Sequence, residues 1–246
     1  MTILLLGGTS EARELAVLLH EAHVRFVSSL AGRVARPRLP VGAVQIGGFG
    51  GVSGLRAYLG EHRIAAVVDA THPFAEGMSA NAAAACHADG VPLLRLERPG
   101  WAEAPGADTW HWADDHDEAA GMAARLGHRP FLTVGRQSLG RFVDPLAGKA
   151  AVVRVVDPPE IELPEPWTVL LSRGPYDVEG ERAVMADLDV LVTKDSGGRY
   201  TWSKMQVAGE RGMPVVIVRR AAVADGVETV TEPDAARDWV VRRSPR

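Results

Sequence analysis

The chain has 246 residues, 46% of them hydrophobic and 24% charged, enough for one large or two ordinary domains of a soluble globular protein. A net charge of −4 gives no electrostatic case for nucleic acid or an anionic membrane as partner, and no apolar stretch approaches a membrane span. The one cysteine, Cys86, excludes an internal disulfide and a cysteine-built metal site; with a start that carries no basic leader, this points to the cytoplasm.

Thr2–Leu6 is an apolar run long enough for one fully buried strand. Gly7 and Gly8 break it, Thr9 or Ser10 offers a helix cap, and Leu15, Leu18 and Leu19 supply the apolar positions of the helix. A strand that meets a glycine turn and then a helix start gathers backbone N–H groups and the positive helix end at one place, which suits phosphate. The chain reads Gly7-Gly8-Thr9-Ser10-Glu11-Ala12 and lacks the full G-x-G-x-x-G spacing, so a ligand-free strand–helix turn stays an alternative. Val24–Ser29 and Ala43–Ile46 read as the next strands. The glycine cluster Gly47–Gly51 then leads into a helix from about Val52 to His62. Ala65–Asp69 is a fourth strand, followed by Ala70–Phe74 and an alanine-rich helix that holds Cys86 and ends near Gly90; Val91–Arg95 is a fifth. Short uninterrupted apolar strands between helices are what a parallel sheet covered on both faces requires.

The second half repeats the rhythm. A connecting stretch, Arg98–Asp108, is rich in Pro, Gly and Ala; a strand at Thr109–Trp112 and a helix opening at Asp114–Asp115 follow. Strands are then expected at Pro130–Gly135, Ala151–Val156, Trp167–Leu171, Asp189–Thr193 and Pro214–Val218. The fold expected is α/β: two Rossmann-like lobes, each a mostly parallel sheet flanked by helices, with a cleft between them. The boundary is set near residue 128, giving lobes 1–128 and 129–246.

Ligands of such sheets bind beyond the carboxyl ends of the strands, so those ends carry the chemistry. The second strand ends in Ser28-Ser29 and is followed by Arg33, with no Asp or Glu to hold a ribose 2′-hydroxyl. An absent acid and a nearby arginine favour a 2′-phosphate, hence NADPH, although Arg33 as a solvated loop residue is the plain alternative. Gly47 and Gly48 permit close backbone approach to a ligand or serve a tight turn. Thr71, His72 and Pro73 follow the fourth strand; a lone loop histidine is more often structural than catalytic. His111 with Asp114, Asp115, His116 and Asp117 has the outline of a metal cluster, but acids at a helix N-terminus explain the carboxylates more simply, and no metal site is assigned. In the second lobe the strand ends and the helix after one of them carry Arg136, Arg173, Lys194 and Lys204, with Asp195 and Ser196 beside them; these cations suit a substrate with several carboxylates. The Tyr-x-x-x-Lys pair of short-chain reductases occurs only as Tyr200 with Lys204, far along the chain from the glycine turn.

The stretches Leu5–Arg13, Ser29–Arg33, Gly47–Gly51, Asp69–Ala75, Leu171–Pro175 and Val192–Gly197, taken in order over nearly the whole chain, resemble the precorrin-6A reductase family of cobalamin biosynthesis. The resemblance implies reduction of one double bond in a tetrapyrrole precursor, precorrin-6A, by a nicotinamide cofactor. The cofactor-binding residues it points to are Gly7, Gly8, Thr9, Ser10, Glu11, Ser29, Arg33, Gly47, Gly48, Thr71, His72 and Pro73. The macrocycle's acetate and propionate arms fall to Arg136, Arg173, Lys194, Asp195, Ser196 and Lys204. No catalytic residue is named; the chain is expected to act as a monomer or weak oligomer. The alternatives are a cobalt-precorrin-6A reductase using NADH, another NADP-dependent reductase, and a non-catalytic dinucleotide-sensing module.

Overall fold

The computed structural model describes residues 2–32, 35–224 and 226–243. It divides into two compact units, one formed by Met1–Pro99 with Ala221–Arg246 and the other by Gly100–Arg220.

In the first unit the chain runs β1 (Thr2–Leu6), α1 (Ser10–Glu21), β2 (Phe26–Leu30), β3 (Ala43–Ile46), α2 (Gly51–Glu61), β4 (Ile64–Asp69), α3 (Glu76–Asp89) and β5 (Leu93–Leu96). The second unit contributes β6 (His111–Ala113), α4 (His116–Leu126), β7 (Pro130–Leu132), α5 (Gly140–Val143), β8 (Val152–Val155), β9 (Thr168–Leu171), α6 (Val178–Met185), β10 (Val190–Lys194), α7 (Ser203–Glu210) and β11 (Val215–Val218). The chain then returns to the first unit for β12 (Glu228–Val230) and α8 (Pro233–Arg243).

The first sheet has the order β12-β5-β4-β1-β2-β3, with every pairing parallel. Its centre is β1, where Ile3, Leu4, Leu5 and Leu6 are at most 1% exposed. Side chains of a strand alternate between faces. Ile3 and Leu5 accordingly join the core under α1 and α8, with Leu15, Leu19 and Trp239, while Leu4 and Leu6 join the core under α2 and α3, with Leu55, Leu59 and Cys86. An all-apolar strand is therefore required here, because neither face meets water.

The second sheet has the order β6-β11-β10-β7-β8-β9, again wholly parallel. One face packs Phe131, Leu191, Val215 and Ile217 against Met185, Met205 and Val207 of α6 and α7. Both sheets thus follow one scheme: a central strand (β1 or β7) with two successors to one side and two later strands to the other. The sixth, edge position is filled by β12 in one unit and by β6 in the other.

That edge exchange corrects the boundary expected near residue 128. The segment holding β6 and α4 belongs to the second unit, because Val216, Ile217 and Val218 pair with His111, Trp112 and Ala113. The C-terminal segment belongs to the first, because Glu228 and Val230 pair with Leu94 and Leu96, and Trp239 is buried under that sheet. Local hydrophobic pattern marks a strand but not its partner, so contiguity was the wrong guide.

Cys86 lies on the inner face of α3 and is 2% exposed. Burial, with smaller contributions from Asp89 and Asp69, pushes its thiol up to about 12. The thiolate is the reactive form, so Cys86 is expected to react very slowly with a disulfide reagent at mildly alkaline pH in the folded protein and quickly once urea unfolds it. Rapid stoichiometric labelling of the native protein would contradict this packing.

Candidate functional site

In an open parallel sheet the crevice forms outside the carboxyl ends of the strands where the strand order reverses. In the first unit that point lies between β1 and β4, whose last residues Leu6 and Asp69 are in register. The turn after β1 is held open by four bonds. Gly7 N–H donates to Ser29 O at 2.9 Å and Ala70 N–H to Leu6 O at 2.9 Å. Thr9 is the N-cap of α1: its Oγ1 accepts Ala12 N–H at 3.0 Å and donates to Ala70 O at 2.8 Å. The cap therefore does two things, satisfying one free helix donor and tying the β1 turn to the end of β4.

Gly8 has φ of +117°, a conformation L side chains rarely adopt, and nothing lies within 4 Å of the position a Cβ would take. An open space next to exposed N–H groups at a helix start is what a phosphate requires. Gly47 N–H donates to Leu30 O at 2.9 Å, which brings the turn after β3 beside the end of β2; Gly47 and Gly48 likewise face open space. Gly7, Gly8, Thr9, Ser10, Ser29, Gly47, Gly48, Thr71, His72 and Pro73 thus lie at the carboxyl ends of strands β1 to β4 of one sheet. Arg33 lies outside the described residues. Glu11, in the first turn of α1, is turned onto Arg98 with 2.6 Å between Oε2 and Nη1.

The segment after β4 is fixed by a buried charge network. Asp69 Oδ1 accepts from Thr71 N–H at 3.0 Å and Thr71 Oγ1 at 2.7 Å, while its Oδ2 accepts from Ser79 Oγ at 2.6 Å. Arg95 on β5 pairs with Asp69 Oδ2 at 2.9 Å and with Glu97 Oε2 at 2.8 Å, its side chain only 4% exposed. Further on, Phe74 N–H donates to His72 Nδ1 at 3.2 Å.

In the second unit the order reverses between β7 and β10. Gly135, with φ of +83°, follows β7, and a Cβ there would lie 3.5 Å from Lys194 Nζ; Lys194 closes β10, so the two strand ends converge. Arg136 pairs with exposed Glu160 at 3.0 Å, and Arg173 follows β9, two strands from β7. Ser196 N–H donates to Lys194 O at 2.6 Å.

Two of the expected residues face inward. Asp195 is 4% exposed; it accepts Trp101 N–H at 2.9 Å and Arg220 Nε at 3.1 Å, which anchors both ends of the unit. Lys204, 5% exposed, donates to Thr201 O at 3.1 Å and lies 5.2 Å from the Trp101 ring centroid, so its amine braces the 196–201 segment. Arg154 on β8 is a further buried charge of this unit, outside the residues expected from the sequence. It pairs with buried Glu181 at 2.8 Å and lies 3.9 Å from the Tyr176 ring, while Tyr176 OH donates to Ser172 O at 3.0 Å. This stack supports the segment that carries Arg173. A charge inside an otherwise apolar strand, at Arg95 as at Arg154, was the signal available for both.

The acids near His116 belong to a helix start. Asp115 is the N-cap of α4 and accepts Glu118 N–H at 2.8 Å. Burial first, and then the charge of Lys194, hold the His116 imidazole below the usual histidine range.

Comparison with known proteins gives one family. Residues 2–241 match the model of the family described as precorrin-6x reductase CbiJ/CobK. The precorrin-6A reductase of Rhodococcus erythropolis is 48% identical over 241 residues, covering 97% of this chain and 96% of that one. The cobalt-precorrin-6A reductase of Priestia megaterium is 30% identical over 238 residues, covering 91% and 92%. A solved structure described as CobK precorrin-6A reductase superposes with a TM-score of 0.92 at 36% identity, covering 99% of this chain and 97% of that one.

Removing one partner of a buried pair strands the other charge. Asp69→Ala is expected to cost about 3–5 kcal/mol of stability, and the double variant Asp69→Ala/Arg95→Met to cost clearly less. Urea unfolding measures both; a double variant at least as unstable as the single would contradict the network described.

Proposed function

The chain belongs to the precorrin-6x reductase CbiJ/CobK family, and from that premise we propose that it reduces one double bond of precorrin-6A to give precorrin-6B, with NADPH as donor, in cobalamin biosynthesis. The observation that carries the metal-free substrate is the graded identity: relatives named precorrin-6A reductase stand well above those named for the cobalt complex.

The donor set of the first unit fits a dinucleotide, given the open cradle at Gly8 and the helix start that follows it at Ser10. When bound, the cofactor supplies a hydride from its dihydronicotinamide. The work of this chain is to hold and orient. Gly7–Ser10 receive the diphosphate, with Glu11 in the same turn; Ser29 and Arg33 receive the 2′-phosphate side of the adenosine. Gly47 and Gly48 leave their backbone open to it, and Thr71, His72 and Pro73 border the nicotinamide. His72, whose Nδ1 accepts the Phe74 N–H, is assigned a positioning role and no proton transfer. The conjugated imine system accepts the hydride in its cationic, already protonated form, so the proton of the reduction is on the macrocycle beforehand and no residue is assigned as acid.

In the second unit Arg136, Arg173 and Lys194 meet the carboxylate arms of the macrocycle, with Ser196 as a neutral donor beside them. Asp195 and Lys204 act at one remove, by holding the backbone that presents these groups. A second reading, reduction of cobalt-precorrin-6A with NADH, draws on the relatives of that name. A single assay separates them: purified protein given each tetrapyrrole with each nicotinamide. Consumption of NADPH with precorrin-6A is expected; activity only with the cobalt complex and NADH would favour the second.

Arg33→Ala is expected to weaken NADPH by about 1.5–3 kcal/mol and leave NADH nearly unchanged, since only NADPH presents the 2′-phosphate. Equal losses for both in a titration would remove Arg33 from that role. Arg173→Ala and Lys194→Ala are each expected to raise KM for the tetrapyrrole roughly tenfold to a hundredfold while the NADPH Kd stays put. The effect should shrink as salt rises. Wild-type KM in both variants would mean the arms are held elsewhere.

A further inference from the structure

Glu11 presents an electrostatic problem that its ion pair resolves. It sits in the first turn of α1, the same turn whose free N–H groups and positive end suit a phosphate. An uncompensated carboxylate there would repel a diphosphate held by that turn. Its side chain is 11% exposed, its Oε2 lies 2.6 Å from Arg98 Nη1, and the Arg98 side chain is 10% exposed. Arg98 comes from another part of the unit, two residues beyond the end of β5. It shares a small recess with Thr9, the cap residue, and with Thr71. A charge-assisted bond this short between two largely desolvated groups is not a loose surface contact.

Resting on the diphosphate reading given above, we infer that Arg98 is a positioning residue for the cofactor: it cancels the charge of Glu11 and so lets the turn at Gly7–Ser10 accept an anion. Arg98 acts through Glu11 and needs no contact of its own with the cofactor. The carboxylate in turn contributes a fixed anchor that keeps the segment after β5 against the start of α1. Glu11 then stands in the cofactor site without being a ligand. Loss of Arg98 leaves a stranded anion facing the incoming phosphates; loss of both groups leaves none.

The test is NADPH binding by titration of the whole protein, in the variants Arg98→Ala, Glu11→Gln, the double variant and Gly8→Val. Arg98→Ala should raise the NADPH Kd roughly tenfold to a hundredfold, and the loss should shrink as salt rises, because it is electrostatic. Glu11→Gln should bind NADPH no more weakly than wild type. The double variant should return to within about threefold of wild type, a rescue that a merely structural role for Arg98 would not give. A double variant as weak as Arg98→Ala, a loss independent of salt, or weakened binding in Glu11→Gln would each overturn the inference. If Gly8→Val loses NADPH while Arg98→Ala binds it normally, the diphosphate reading survives and the role of Arg98 falls. If Gly8→Val binds normally, the diphosphate lies elsewhere and both fall.

Discussion

The buried pair of Asp69 and Arg95 is the constraint on which the candidate site of the first unit depends. The two groups meet at 2.9 Å with side chains 3% and 4% exposed, at the carboxyl ends of neighbouring strands β4 and β5. Desolvating two charges is costly, and mutual attraction repays that only when the remaining lone pairs and protons are also satisfied. Here they are. Thr71 and Ser79 hydroxyls and the Thr71 N–H bond to Asp69, and Glu97 takes the far side of the guanidinium. The consequence is positional: the backbone that leads from β4 into Thr71, His72 and Pro73 leaves the sheet in one direction only. Thr9, bonded to Ala70 O, then locks the β1 turn to the same frame.

The second unit has buried charge pairs of its own. Arg154 and Glu181 form its buried pair, stacked beneath Tyr176, and Asp195 with Arg220 closes the unit at its two ends. Cations at its strand ends therefore divide into two kinds. Lys204 and Arg220 serve backbone carbonyls, a ring or a carboxylate from inside the unit, and Lys194 closes β10 beside Gly135 at the point where β7 and β10 part. Sequence position alone could not make that division, since Lys194 and Lys204 are equally cationic and only ten residues apart. What separates them is that Lys204 is on the inner face of α7 and Lys194 at a strand end.

Much of the fold was legible because its signals are local. Residues 3–6 of β1 are all apolar since both faces of the strand are buried, and the same holds for residues 190–192 of β10 and for β11. The glycine turn, the Thr9 cap and the strand–helix alternation are equally local. The resemblance to the precorrin-6A reductase family, carried by motifs such as Gly7–Ala12 and Asp69–Ala75, agrees with the family model matched over residues 2–241. Pairing across long separations was not legible. β12 is three residues long and largely exposed, with no hydrophobic signature, and β6 gave no sign of which sheet it would join. Arg98 and Glu11, 87 positions apart, illustrate the same limit: nothing in the sequence pairs them, and the fold brings them to 2.6 Å.

The proposed activity is transfer of a hydride from NADPH to the macrocycle of precorrin-6A. It is tested most directly by anaerobic incubation of the purified protein with precorrin-6A and NADPH carrying deuterium at C4 of the dihydronicotinamide, followed by mass spectrometry of the tetrapyrrole. The account expects a reduced product that retains one deuteron when the label occupies the transferred face, with matching oxidation of the cofactor. Unchanged precorrin-6A, or reduction with no label from either face, would contradict it.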